Sequence, residues 1–398
     1  MIYWLAWGGC HNKDGANFID ASEIRGKQIY NKMHYIYMRL SYHKLKIPLI
    51  SPFTTSFGTD VNKDVYVFTL EHNGITAYSE SVTDENPFYG SEDNYTVIHI
   101  VQKYLAQIVK DLPEPQEFNK KTMFIKGNNM AKASMEMLLY DYHAKVKEKP
   151  LAEYMGKSRG YANVGISLGM DDINVTLKKI QDALNRGYKR IKVKIMKGKE
   201  TQILGAVRDQ FPDITLSADA NSDYTEKDFQ LIKKIDRYDL IYLEQPLYHD
   251  DIIYHSRLAK EISTPLCLDE SITSPEKAQK AFEMEACSVI NIKEGRLGGI
   301  GNSIKVMDIV KNFKGHVWIG GMLETGIGRS FNVSMASLSD IDYPGDTSPN
   351  DKYFTHDIVK NPFTMENGTI KPNMGYGIGV EISEEYLKKY TVEEGFIV

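Results

Sequence analysis

Cysteine is scarce. Cys10, Cys267 and Cys287 are too few and too scattered for a disulfide framework or a thiolate metal site, and this usage suits a reducing compartment such as the cytoplasm. A basic excess is missing as well: 48 Lys and Arg against 53 Asp and Glu leave a formal charge of -5, with nothing to draw the chain to nucleic acid or anionic lipid. No apolar run approaches the roughly 20 residues needed to span a bilayer. Met1–Trp7 is short and has no positive flank, so neither a membrane segment nor a signal peptide is expected. What remains is the composition of an ordinary globular protein, 42% apolar and 25% charged over 398 residues. That length allows two or three units, or one large barrel with an added lobe.

The first 33 residues show no period and read as an extension, with Met33 or Met38 as alternative starts. From His34 the chain becomes β-rich, through Tyr35–Leu40, Val65–Leu70 and Ile75–Tyr78, and Asn73-Gly74 signals a hairpin. Helical patterns follow over Tyr95–Asp111 and Asn129–Val146; the stripe Met130, Met135, Leu138 and Tyr142 reads as core. Together these predict a small α+β lobe.

Beyond Tyr161, short apolar runs alternate with amphipathic stretches. Ile214–Ala218, Leu240–Leu243, Pro265–Leu268, Val289–Ile292 and Val317–Ile319 read as strands buried on both faces. Ile173, Leu177, Ile180 and Leu184 form one helical stripe stopped by Gly187, Thr225 with Asp228 reads as a capping box, and Ser274-Pro275 as a helix start. Alternation of this kind predicts a parallel sheet.

Five successive apolar runs end in a charge, KRIKVKI in Lys194 and the first four of these strands in Asp219, Glu244, Asp269 and Lys293, spaced 25, 25, 25 and 24 residues apart. That is the pitch of successive βα units in a barrel, whose C-terminal strand ends form the active face. One acidic residue at a strand end is commonly a helix N-cap; five charges in register converge on one mouth. Three facing carboxylates about 4 Å apart repel by roughly 1 to 4 kcal/mol per pair unless a cation joins them. Oxygen ligation by Asp219, Glu244 and Asp269 suits Mg2+, with Mn2+ as the alternative, and the absence of His and Cys argues against zinc.

Lys192 and Lys194 stand two apart on one strand and point the same way, into the barrel. Crowding two ammonium groups beside a metal ion favours the neutral amine, which would make a lysine a base at neutral pH. Lys293 is expected across the mouth. Two lysines flanking a substrate held on a divalent ion form a device for removing a proton next to a carboxylate.

These residues resemble the enolase superfamily and, within it, the muconate lactonizing enzyme subgroup, through KVK, DAN, EQP, LDES and NIKEGRLGG in order. The chain is similar to the o-succinylbenzoate synthase and N-succinylamino acid racemase family in five further stretches: SPFTTSFGT, NNMAKASMEMLLYD, GISLGM, GGMLETGIGR and GDTSPNDKYF. The resemblance runs from about Lys44 to Glu381 and implies a (β/α)7β TIM-like barrel with an α+β capping domain. The boundaries expected are a capping domain over 34–158, a barrel over 159–365, and a segment over 366–398 returning to the cap.

The resemblance also implies Mg2+ on Asp219, Glu244 and Asp269, with Lys194 and Lys293 as the acid/base pair. Lys192, Asn221 and Glu270 would orient them. Phe53, Thr55 and Phe57 fall in a stretch resembling a mobile loop that closes over substrate, and Ser167, Arg296, Met322 and Glu324 fall in motifs that contact or border it. Arg296 resembles a position associated with racemase activity. The activity implied is synthesis of o-succinylbenzoate by dehydration, in menaquinone biosynthesis, with racemisation of N-succinylamino acids as the alternative. The partner implied is a small-molecule carboxylate, and a symmetric homo-oligomer is expected on general grounds.

Two features depart from the family: the extension matches nothing in it, and Glu294 stands where proline is common, which would affect the loop carrying Arg296. A Schiff-base aldolase could also use a strand-end lysine but needs no aligned carboxylates. A noncatalytic barrel would bind metal without exchanging an α-proton. A lysine at 293, in place of a His and Asp pair, argues against mandelate racemase chemistry.

Overall fold

The computed structural model describes residues 38–55 and 58–398. The extension over 1–33, the start of the first expected strand and Phe57 lie outside the described residues. Four strands form an antiparallel sheet in the order β11-β1-β2-β3: β1 Arg39–Thr55, β2 Gly58–His72, β3 Ile75–Ser81 and the last strand of the chain, β11 Thr391–Phe396. Asn73 and Gly74 both take positive φ, 51° and 76°, and His72 pairs with Ile75 across them. This two-residue turn has the twist that β2 and β3 need.

Within the stretch expected as a loop over Phe53–Thr59, the described residues 53–55 and 58–59 are paired strand. Phe53 pairs with Asp60 and Thr54 with Thr59, whose hydroxyls are 2.9 Å apart. β-Branched and aromatic residues favour that extended form. The register breaks between Pro48 and Phe53, where proline has no N–H to give to the ladder.

The helix Asn129–Val146 has the expected span, but Ala131, Ala133 and Leu139 are buried along with Met130, Met135, Leu138 and Tyr142. It is enclosed rather than striped because β3 touches one side and the turn Glu294–Leu297 another. The other expected helix starts at Asn94, with Asp93 and Thr96 capping each other. It passes through a π turn at Val101–Leu105 before ending at Val109.

The barrel strands are β4 Gly165–Leu168, β5 Arg190–Lys194, β6 Leu216–Asp219, β7 Leu243–Glu244, β8 Leu266–Leu268, β9 Val289–Ile292 and β10 His316–Ile319. They lie parallel in chain order. Residues 343–346 fill the eighth place: Tyr343 and Asp346 donate to Val317 and Ile319 of β10, while Gly165 of β4 donates to Gly345 at 2.7 Å. The ring of strands is thereby closed.

Of the expected strand Leu240–Leu243, Leu243 opens β7, and before it Ile241 donates to the Leu216 carbonyl while Tyr242 accepts from Ala218 of β6. Tyr242 is fully buried, stacked on Trp318 at 5.8 Å and Tyr343 at 6.1 Å. The Thr225 and Asp228 capping box and the Ser274 cap both form, the first opening a 3-10 turn and the second a regular helix.

Candidate active site

On β5 alternate side chains enter the barrel, so Arg190, Lys192 and Lys194 form a column while Ile191 and Val193 are buried on the other face. Lys194 pairs in register with Asp219 on β6, and Asp219 with Glu244 on β7. Asp269 follows β8, and Lys293 follows β9. β5 and β9 are four strands apart in a ring of eight, so Lys194 and Lys293 come from opposite walls. Both line one cavity of about 370 Å³, which Phe53, Phe88 and Tyr89 of the cap help enclose. That volume suits a small ligand.

Each of the three strand-end carboxylates is paired with a cation. Lys194 Nζ lies 2.7 Å from Asp219 Oδ2 and also donates to Asn221 Oδ1. Lys192 Nζ lies 2.7 Å from Glu244 Oε2 and 3.4 Å from Asp219 Oδ2. Lys293 Nζ reaches Asp269 Oδ2 at 2.8 Å, and Arg296 pairs with Asp269 Oδ1. The second oxygens are also held, Asp219 Oδ1 by the Asn221 N–H and Glu244 Oε1 by Asn291 Nδ2.

Burial would raise the Asp219 carboxyl, but Lys194 and Lys192 outweigh it and bring it down to about 2. Lys192 is shifted upward, opposite to the neutral amine expected for a lysine crowded beside a metal ion. Burial does oppose its charge, yet Asp346, Glu244 and Asp219 prevail and hold its pKa well above the usual lysine value. Lys293 is shifted upward too, because Tyr89 and Glu270 together overcome burial.

Among the described residues no three His, Cys, Asp or Glu side chains converge as a metal cluster; the amines take the carboxylate oxygens instead. The donor set nevertheless fits a hard divalent ion: three buried carboxylates at adjacent strand ends, all oxygen, with the lysine ammonium groups as the alternative counter-charge.

Asn221 holds a left-handed backbone, φ 41°, and its Nδ2 donates to Glu270 Oε1 at 3.1 Å. Glu270 is buried, and its carboxyl is raised by burial and by Asp219. Phe53, Ser167 and Met322 line the cavity. Thr55 lies on β1, and Phe57 is outside the described residues.

Arg296 and Glu324 do not line this cavity. Arg296 stands behind Asp269, donating to the carbonyls of Ile272 and Asn291 from a turn that aims its guanidinium into the wall. Glu324 is buried with Oε1 on the Met322 N–H and Oε2 2.8 Å from Arg329, so it props the loop rather than facing the cavity.

Sequence reasoning missed Tyr89, Asn291, Arg190 and Asp346. Tyr89 Oη accepts from Lys293 Nζ at 3.0 Å and Arg296 Nη1 at 3.1 Å, and donates to Asp269 Oδ1 at 3.2 Å. It sits in an aperiodic loop that carries no signal. Asn291 and Arg190 were legible, since each lies two before a lysine on the same strand.

Glu294 leaves the turn carrying Arg296 intact because it is the first residue of the short helix Glu294–Leu297, a position that proline also tolerates. Burial and Glu324 push its carboxyl from 4.5 to about 8, with Asn332 opposing at 3.2 Å. A raised folded-state pKa means that folded protein holds a proton which unfolded chain has lost. The stabilisation is therefore complete below pH 4.5 and lost as pH rises through 8. The Tm of Glu294→Gln should rise relative to the parent between pH 5 and 8.5, by the equivalent of a few kcal/mol. A Tm difference independent of pH would contradict this.

Strand-end carboxylates and lysines beneath a capping lobe are the arrangement of a barrel enzyme's active face. Residues 176–386 match the family described as Enolase C-terminal domain-like, and residues 41–156 match the Mandelate racemase / muconate lactonizing enzyme, N-terminal domain. The o-succinylbenzoate synthase of Bacillus subtilis (strain 168) is 37% identical over 89% of this chain and 96% of its own. An N-succinylamino acid racemase of Thermus thermophilus shares the same identity and coverage. A solved enolase superfamily member from Listeria innocua superposes with a TM-score of 0.88 at 34% identity, over 91% of this chain and 99% of that one.

The chain belongs to the enolase superfamily, and within it to the o-succinylbenzoate synthase and N-succinylamino acid racemase family. It is an enzyme of that family. No described helix is long and apolar enough to cross a membrane.

Proposed function

We propose that the protein is a metal-dependent carbon-oxygen lyase, an o-succinylbenzoate synthase. It would carry out the syn dehydration of 2-succinyl-6-hydroxy-2,4-cyclohexadiene-1-carboxylate through an enediolate. The observation that carries this reading is the placement of Lys194 and Lys293 on opposite walls of one cavity that Asp219 also lines, with Glu244 and Asp269 at the neighbouring strand ends.

Those three carboxylates would hold Mg2+, or Mn2+, supplying positive charge against the negative charge that builds as the α-proton leaves. Lys194 takes that proton and returns it to the departing hydroxyl on the same face, while Lys293 steadies the enediolate from the other. Asn221 keeps Lys194 oriented, and Tyr89 does the same for Lys293.

Opposed lysines also favour a second reading, racemisation of N-succinylamino acids, in which each amine serves one face. In this proposal residues 34–158 cap a barrel over 159–365, and 366–398 lead back to the cap. The enzyme acts in the cytoplasm as a symmetric homo-oligomer.

The test is to assay the cyclohexadiene dehydration beside racemisation of N-succinylamino acids, each with and without Mg2+. Dehydration that depends on the metal is expected. Turnover of neither substrate in saturating Mg2+ would refute the reading.

A further inference from the structure

The inward column on β5 is interleaved with carboxylates from other strands. Arg190 Nη2 lies 2.8 Å from Asp346 Oδ1, and Asp346 Oδ2 lies 3.1 Å from Lys192 Nζ. Lys192 then meets Glu244 at 2.7 Å and Asp219 at 3.4 Å, and Asp219 meets Lys194 at 2.7 Å. Charges alternate from the barrel floor to its mouth.

Asp346 belongs to the stretch that closes the barrel, and its N–H is fixed on the Ile319 carbonyl at 2.9 Å. Arg190 is fully buried, also donates to the Pro344 carbonyl at 3.0 Å, and lies over Trp318 at 4.9 Å, with Lys192 over the same ring at 4.7 Å. These contacts leave Arg190 and Asp346 little freedom. The Lys192 ammonium is shared among Asp346, whose backbone is anchored on β10, and the strand-end carboxylates Glu244 and Asp219.

The geometry points to Asp346 as a positioning residue. By holding Lys192 from below, it limits that lysine's grip on Glu244 and Asp219 and so leaves those carboxylates available to a divalent cation. This rests on the proposed metal role of Asp219, Glu244 and Asp269.

Without the Asp346 charge, Lys192 would face Arg190 with no anion between them and would turn wholly to Glu244 and Asp219. A cation would then have to displace a tighter competitor. A loss of metal affinity of at least about tenfold is expected, in the range found when groups behind metal ligands are altered.

The experiment is calorimetric titration of Mg2+ into metal-stripped protein, which needs no turnover. Asp346→Asn should raise the Mg2+ dissociation constant about tenfold in the parent protein and by less than about twofold in a Lys192→Met background, where no competing ammonium remains. A purely structural role for Asp346 would lower Tm in both backgrounds and leave the Mg2+ constant where it was.

An unchanged constant for Asp346→Asn, or an undiminished effect in the Lys192→Met background, overturns the assignment. If Asp346→Asn does not fold, Asp346→Glu, which keeps the charge but displaces it, should shift the constant in the same direction by less; no shift overturns the assignment. A parent protein that takes up no Mg2+ would instead sink the metal reading on which this rests.

Discussion

Lys194→Ala and Lys293→Ala are each expected to lower kcat/KM for dehydration by about 10³-fold or more, the upper part of the range for a positioned acid or base. Both should leave the fold intact. Removing Lys194 still leaves Asp219 beside Lys192, and removing Lys293 still leaves Asp269 paired with Arg296, so neither change strands a buried charge. With an N-succinylamino acid in deuterated water, each variant should exchange the α-proton of one enantiomer only, because one wall keeps its amine. Near-parental rates in either variant, with unaltered circular dichroism, would contradict the assignment of that lysine.

Removal of divalent metal is the second large effect. Stripping with a chelator should abolish turnover, and Mg2+ should restore it; several kcal/mol of charge stabilisation amounts to a factor of 10³ or more in rate. The folded protein without metal is expected to persist, because Lys192, Lys194 and Lys293 already neutralise the three carboxylates. Saturating Mg2+ at about 100 times its dissociation constant should add about 2.7 kcal/mol of stability. Full activity after exhaustive chelation, measured with the dehydration assay, would contradict this.

The site was legible in the sequence where geometry repeats. A charge at each strand end every 24 or 25 residues follows from the βα unit, and the alternation of KVK follows from the pleat. The same alternation reaches Arg190 and Asn291, which a longer reading of the two strands would have found. Asp346 was not legible: it lies in a stretch too short and polar to read as the eighth strand, and its partners come from a strand 150 residues earlier.

Tyr89 lay beyond reach for the same reason, as an aperiodic cap loop brought to Lys293 by domain packing alone. The hairpin at Asn73-Gly74 was readable because its turn chemistry is local. The arm at Phe53–Thr55 was expected in a mobile loop through the family resemblance, and pairing with Gly58–Asp60 holds it extended.

Anomalous diffraction from crystals grown with Mn2+ addresses the shared floor of the cavity most directly. A single strong peak bounded by Asp219, Glu244 and Asp269, with Lys194 and Lys293 on either side, is the predicted result. A peak elsewhere, or none at saturating Mn2+ while the amines keep their carboxylates, would contradict the account.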